Sequence, residues 1–202
     1  LTTLLYLPLL GAVALLAIPK DRHRAHWAIA IGASLLALVP CIAIIRDFRA
    51  HLADLQFNET STALDSLGLG ATLGLDGISL WLVALAVLLV PLVLIGSVSR
   101  GSYRVRAFAA LVMLAEGAAI GAFCTRDLLT LFIFWLLVLA AIYLLIRGWS
   151  GEEGRSTASR FALYTGTGSA LLLIGILALY NQANSFQFEV IASTKISPED
   201  AS

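Results

Sequence analysis

Residues 107–124 read AFAALVMLAEGAAIGAFC, an apolar stretch of 18 residues that contains a single charged side chain, Glu116. A helix of this length rises about 27 Å, which matches the hydrocarbon thickness of a bilayer. Five further stretches are 18 to 20 residues long and contain no charged residue. The six are residues 1–18, 27–45, 78–97, 107–124, 128–146 and 161–180. The sequence therefore predicts an all-α fold, a polytopic transmembrane helix bundle with six spanning helices.

The composition agrees with a membrane protein. Hydrophobic residues make up 59% of the 202 residues and charged residues 13%, against roughly 45–50% and 25% in soluble domains. The first stretch has no basic segment before it, so we interpret it as a span and not as a signal peptide. The formal net charge is zero, so no nucleic-acid partner is expected. We predict a single membrane domain over residues 1–202, with the lipid bilayer as its partner.

The basic residues predict an orientation. Nine of the thirteen Lys and Arg residues lie in segments 19–26, 98–106 and 147–160, which the positive-inside rule assigns to the cytoplasmic or matrix side. Both termini and the loop 46–77 then lie on the outer, periplasmic or intermembrane, side. Glycines at the end of this loop favour turns and a short hairpin. His23 and His26 border the first inner segment, and we expect both to be solvated.

Glu116 is the strongest functional candidate. A charge at mid-membrane costs roughly 2.5–3.5 kcal/mol on insertion scales, so the neutral acid is favoured there, as suits a group that takes up and releases a proton. A permanently protonated carboxyl that bonds a neighbouring helix is the alternative, and the sequence leaves both open. Gly117 and Gly121 beside it form a GxxxG pair that favours close helix packing.

Small polar residues open the sixth stretch. Hydroxyl groups near a buried carboxyl can hold water or donate to it, which makes these residues candidates for a proton pathway, although helix packing explains them as well. They are Thr165, Thr167 and Ser169.

Two aspartates and two cysteines lie near the predicted helix ends. Asp76 and Asp127 each directly precede a span, where a carboxylate can cap free N–H groups and face the positive end of the helix dipole. Cys41 and Cys124 are the only cysteines. Both lie near predicted outer ends, so a disulfide is conceivable, but buried free thiols are the favoured interpretation.

Several motifs occur together in the order of a known family. They are LGLDGIS at 73–79, EGAAIGAF at 116–123, DLL at 127–129, FW at 134–135, YLLI at 143–146, and RFALYT at 160–165 with GS at 168–169. In that order and at these spacings, the chain resembles the antiporter-like membrane subunits of respiratory complex I (NADH:quinone oxidoreductase), in particular chain M or mitochondrial chain 4. The resemblance extends over essentially the whole chain.

The resemblance implies a membrane-arm component of a proton-translocating NADH:quinone oxidoreductase, in the bacterial plasma membrane or the mitochondrial inner membrane. Other membrane-arm subunits are the implied partners. The chain has no GxGxxG motif and no cysteine cluster, so we expect no redox cofactor and no metal in it. A cation/proton antiporter component of the same fold and a purely structural membrane-arm remnant are the alternatives.

The match to the family is incomplete in two respects. Glu116, Asp76, Asp127 and Arg160 correspond to charged positions of the family, but Leu136 stands where the family has its principal intramembrane Glu, after Phe-Trp. Leucine cannot exchange a proton, so the chain either contributes to a proton channel through Glu116 or only scaffolds it. Family subunits also have more helices than six, which implies an N-terminal piece: part of a longer subunit, a split subunit completed by a second chain, or a degenerate remnant.

Overall fold

The computed structural model describes residues 1–19, 21–49, 56–60, 72–99 and 104–193. Each predicted apolar stretch forms a helix, and a short helix and a two-stranded sheet accompany them. The elements are α1 (Thr2–Ala17), α2 (His23–Asp47), β1 (Gln56–Thr60), β2 (Thr72–Leu75), α3 (Gly77–Val98), α4 (Val105–Cys124), α5 (Leu128–Trp149), α6 (Gly154–Ala183) and α7 (Phe188–Ser193).

Five of the described helices, α2 to α6, are long and apolar enough to cross a membrane. Helix α1 is apolar but has 16 residues, which gives it a rise of about 24 Å. The prediction of a polytopic helical membrane protein is confirmed. The count of six spans and the outer location of both termini stay predictions.

Two helices begin a full turn or more before the apolar stretches that predicted them. Helix α2 begins at His23 and α6 at Gly154, where the predicted spans begin at residues 27 and 161. Arg155 and Arg160, predicted to lie in an inner loop, are therefore on the first turns of α6. The additional turns carry charged and polar residues, so hydropathy alone does not detect them.

Helix α4 is the centre of the bundle. It packs against α1, α2, α3 and α5, while α6 packs on α5 at the edge. In the 18-residue apolar segment of α4, 56% of the residues are buried, against 11% in the corresponding segment of α6. Small residues on α4 permit this close approach: Gly117 lies against Leu9 of α1, and Gly121 against the ring of Phe134 on α5. The GxxxG pair thus packs helices closely, as predicted.

Two hydrophobic clusters fill the bundle, one toward each end of α4. One includes Leu15, Ala30 and Met113; the other includes Leu4 and Ile120. Glu116 lies between Met113 and Ile120 along the helix, so its position is between the two clusters. Cys41 and Cys124 belong to the second cluster, where both are buried and free.

The loop between α2 and α3 contains the predicted hairpin. Strands β1 and β2 pair antiparallel. Leu73 of β2 also forms an isolated antiparallel bridge with Thr125, the residue that follows α4. Leu73 and Leu75 are fully buried, which fixes the hairpin across the ends of the helices. Of the glycines expected to turn here, those at 68 and 70 lie outside the described residues.

Candidate functional site

Glu116 lies on the buried stripe of α4. Its side chain is 2% exposed, and buried residues recur every three or four positions on either side of it, so this stripe faces the interior of the bundle. The carboxyl group thus lies among packed helices and points neither into open water nor toward the outside of the bundle.

The carboxyl of Glu116 has no partner within the described part of the chain. Both Oε1 and Oε2 are buried and accept no hydrogen bond there. An ionised carboxylate without a partner in an apolar interior costs several kcal/mol, so the group is stable as the neutral acid. Ionisation requires a cation, a hydrogen-bond donor or water to reach it. This arrangement is suited to reversible proton binding that depends on such an approach.

The hydroxyl residues of α6 do not bond Glu116. Thr165 Oγ1 donates to Phe161 O at 2.7 Å, and Thr167 Oγ1 donates to Leu163 O at 2.8 Å, both within their own helix. Ser169 is buried, and its hydroxyl accepts from Trp135 Nε1 at 3.3 Å. The bond between Trp135 and Ser169 ties α6 to α5, on the far side of α5 from α4. Their place in a proton pathway stays a prediction.

Leu136 faces away from Glu116. Phe134, two residues before it, packs against Gly121 of α4. Two residues correspond to a rotation of about 200° around a helix, and Leu136 is accordingly 41% exposed. Arg160, the other position matched to the family, is also exposed, on α6. The structure therefore brings neither residue to Glu116.

Asp76 and Asp127 cap helices, as predicted. Asp76 Oδ1 accepts from the backbone N–H groups of Ser79 at 2.7 Å and Ile78 at 3.0 Å. The bond from Ser79 is the largest of the effects that hold the pKa of Asp76 below its usual value, against the opposing effect of burial. Asp127 Oδ1 accepts from Thr130 N at 2.8 Å. Both aspartates thus stabilise the starts of helices, α3 and α5.

The prediction that His26 is solvated is wrong, whereas His23 is exposed. His26 is fully buried, and neither ring nitrogen has a hydrogen-bond partner among the described residues. It lies one turn before Ala30 on the buried stripe of α2, which continues through Ser34. That spacing of four residues was present in the sequence. It was missed because the helix was expected to begin at residue 27.

No group of three His, Cys, Asp or Glu residues that could hold a metal ion occurs in the part of the chain that the structure describes. The absence of a metal and of a redox cofactor stays a prediction. Glu116 and His26 are thus buried side chains whose carboxyl oxygens and ring nitrogens have no hydrogen-bond partner in this part of the chain, and both lie within the α1, α2 and α4 part of the bundle.

The chain is similar to known membrane proteins over nearly its whole length. Residues 125–200 match the family described as NADH:quinone oxidoreductase/Mrp antiporter, TM. The chain is 33% identical to NAD(P)H-quinone oxidoreductase chain 4 1 of a Synechococcus strain, over 94% of this chain and 36% of that protein. It is 32% identical to NADH-ubiquinone oxidoreductase chain 4 of Marchantia polymorpha, over 98% of this chain and 40% of that protein. The chain therefore spans about two fifths of the length of these relatives.

A solved structure has the same fold. A chain of respiratory complex I from Thermus thermophilus with bound NADH superposes with a TM-score of 0.79 at 24% identity, over 98% of this chain and 40% of that chain. This chain therefore shares the fold of a chain of that complex over nearly its whole length.

Proposed function

The chain is a relative of the antiporter-like membrane subunits of NADH:quinone oxidoreductase, similar to the N-terminal portion of chain 4 and subunit M, and on that premise we propose that it is a membrane-arm component contributing to proton translocation. It is a multi-pass protein of an energy-transducing membrane. The electron transfer takes place in other subunits of the complex, and this chain holds no redox cofactor and no metal.

The observation that carries the proposal is the enclosed carboxyl of Glu116. It lies near the middle of the central helix, buried and without a partner among the described residues. As the neutral acid it stores a proton in the apolar core, and it releases that proton when a cation or water reaches it. Because Leu136 cannot bind a proton, Glu116 is the group in this chain that takes part in exchange.

The sidedness follows from the basic residues. With segments 19–26, 98–106 and 147–160 on the cytoplasmic or matrix side, the hairpin and both ends of the chain are on the outer side. Helix α1 then also crosses the membrane, which brings the number of spans to six. Its packing against α4 supports this, because α4 itself is long and apolar enough to span.

Further helices complete the proton channel. Large apolar side chains are exposed on α5 and α6, among them Trp135, Leu136 and Leu163. Other membrane-arm subunits, or a second chain that supplies the remaining helices, cover part of this surface, and lipid covers the rest.

Substitution of Glu116 in the assembled complex tests the proposal. Glu116→Gln keeps the size and the hydrogen-bonding capacity but cannot release a proton, so we expect normal assembly and a large fall in protons moved per NADH oxidised. Inverted membrane vesicles give both quantities, from NADH consumption and from the quenching of a pH-sensitive dye. Glu153→Gln, in the exposed turn between α5 and α6, is the matched control and should pump normally.

Unchanged pumping in Glu116→Gln would leave this chain a structural role only. The family description also includes the Mrp antiporter, which favours a cation/proton antiporter as the second candidate. That function predicts sodium/proton exchange in vesicles without NADH and without sensitivity to quinone-site inhibitors. The membrane-arm proposal predicts proton movement that those inhibitors stop.

A further inference from the structure

A cleft of about 680 Å³ opens at the end of the bundle where α4 and α6 begin and α5 ends. Three arginines line it, Arg104, Arg147 and Arg155, and Trp149 stands beside them. Four leucines, two alanines and a glycine form the rest of the lining, including Leu111 and Leu114 of α4. We call this the basic cleft. Its volume is within the range of about 300–1,000 Å³ that is typical of ligand sites.

The three arginines lack acidic partners within the described residues. No ion pair joins one of them to an Asp or Glu in this part of the chain. Arg147 Nη1 donates to the hydroxyl of Tyr143 at 3.2 Å, and Arg104 Cζ is 6.0 Å from the centre of the Trp149 ring. Neither contact neutralises a charge, and no carboxylate among the described residues lies within ion-pair distance of these three exposed guanidinium groups, although Glu152 and Glu153 occupy the adjoining turn.

The starts of α4 and α6 add to the positive potential, and the end of α5, which carries the negative end of its dipole, offsets part of this. Arg104 is the N-cap residue of α4, and Arg155 lies in the first turn of α6. The first N–H groups of a helix have no partner within the helix and carry the positive end of its dipole, so helix starts favour anions. Guanidinium groups match phosphate geometry in addition, because their parallel N–H groups bind two oxygens at once.

The apolar part of the cleft indicates what carries the anion. Leu114 is ten residues beyond Arg104 on α4, a distance of about 15 Å along the helix and about half of the hydrocarbon thickness. A free phosphate ion would fill only the mouth. A phospholipid places its phosphate at the depth of interfacial residues such as Trp149 and its acyl chains deeper.

We propose that the basic cleft binds an anionic phospholipid, with its phosphate among Arg104, Arg147 and Arg155 and an acyl chain along Leu111 and Leu114. Basic pockets between transmembrane helices on the cytoplasmic or matrix side are suited to such headgroups. The lipid joins α4, α5 and α6 at their charged ends, where protein contacts alone leave a gap. The site does not depend on proton exchange at Glu116.

Photochemical labelling in membranes tests the site on the protein as it assembles. The purified assembly is reconstituted into vesicles that contain phosphatidylglycerol or phosphatidylcholine with a diazirine in the acyl chain, and labelled residues are mapped by peptide mass spectrometry. We expect phosphatidylglycerol to label residues 104–114 and 144–149 preferentially. Labels on the exposed face of α3, around Leu88 and Leu92, measure general contact with lipid and should be equal for the two lipids.

Two variants separate the headgroup from the acyl chain. Arg147→Gln with Arg155→Gln should lower the phosphatidylglycerol preference of the cleft about 30-fold, because each basic residue near an anionic surface contributes about 1 kcal/mol. Arg22→Gln with Arg24→Gln removes the same charge on the same side without touching the cleft and should leave the preference unchanged. Leu114→Phe narrows the apolar part and should lower labelling there with all arginines present.

Three results would overturn the proposal. The first is equal labelling by the two lipids. The second is an equal effect of both double variants, which would indicate general attraction to the surface. The third is a cleft that neither lipid labels while α3 is labelled normally, which would mean that a polypeptide segment fills it. Loss of proton pumping in Glu116→Gln is a separate result, so failure of the lipid site and failure of the proposed function are distinguishable.

Discussion

Gly121 offers a direct measure of how closely α4 and α5 pack. A Cβ at this position would lie 2.6 to 2.7 Å from three ring atoms of Phe134, about 1 Å short of the 3.5–4.0 Å at which carbon atoms attract each other. The ring cannot simply rotate away, because Phe134 is 5% exposed and packed in the core. Gly121→Ala therefore forces the two helices apart or drives Phe134 out of its position.

The expected cost is that of overpacking a core, about 1–3 kcal/mol. Replacing glycine by alanine inside a helix also changes helix propensity by about 1 kcal/mol in favour of alanine. Comparison with Gly175→Ala separates the cost of overpacking from the change in helix propensity. Gly175 lies within α6, where a Cβ would meet no atom within 4 Å, so it reports the propensity gain alone.

Thermal unfolding of the two variants in the same detergent is the assay. For a chain of this size each kcal/mol corresponds to about 2–4 °C, so Gly121→Ala should unfold about 2–12 °C below Gly175→Ala. Adding Phe134→Leu to Gly121→Ala should recover part of the loss, since the smaller side chain makes room for the methyl group. Equal unfolding temperatures for the two alanine variants would refute the close packing of α4 against α5.

Two further predictions concern polar groups outside the central contact. His26→Leu removes two buried ring nitrogens that lack partners in the described chain. Thermal unfolding should therefore show a stability that is equal or higher by up to about 1–3 kcal/mol. A clear loss of stability would mean that the ring is hydrogen-bonded to water or to another subunit. Burial of Glu59 raises its pKa, but bonds led by those from the backbone N–H and hydroxyl of Thr2 outweigh it and hold the pKa at about 2, against 4.5. Because the folded-state pKa is the lower one, this contact stabilises the protein above about pH 4.5 and is lost as the pH falls toward 2. Hydrogen exchange of residues 1–7 should rise over that range and should not change with pH in Glu59→Gln.

The helices were predictable because each depends on a local property, an apolar run of sufficient length. Their ends were less so. The first turn of α2 is charged and extends beyond the predicted membrane depth, and hydropathy does not register it. This error of four residues concealed His26, whose spacing from Ala30 and Ser34 continues the buried stripe.

The order of the helices in the bundle could not be predicted from composition. Helices α4 and α6 both carry small residues and glycines, yet α4 is the most buried candidate span and α6 the least. The difference depends on which neighbours pack against each helix, a non-local property. The arginines of the basic cleft are likewise distant in sequence: Arg104 and Arg155 come together because α4, α5 and α6 meet at one end.

The relative positions of Glu116 and Leu136 determine what proton exchange in this chain requires. Phe134 turns one face of α5 toward α4, and Leu136 lies on the opposite face, about 200° away. A carboxyl at Leu136 would therefore be separated from Glu116 by the thickness of α5, about 10 Å with side chains. At that separation two groups exchange a proton only through intervening water or side chains. On this part of α5, Trp135 bonds Ser169 of α6. A proton path to Glu116 must therefore pass around α5 or approach from the side of α1 and α2. Ser34 and His26 are buried polar side chains on that side.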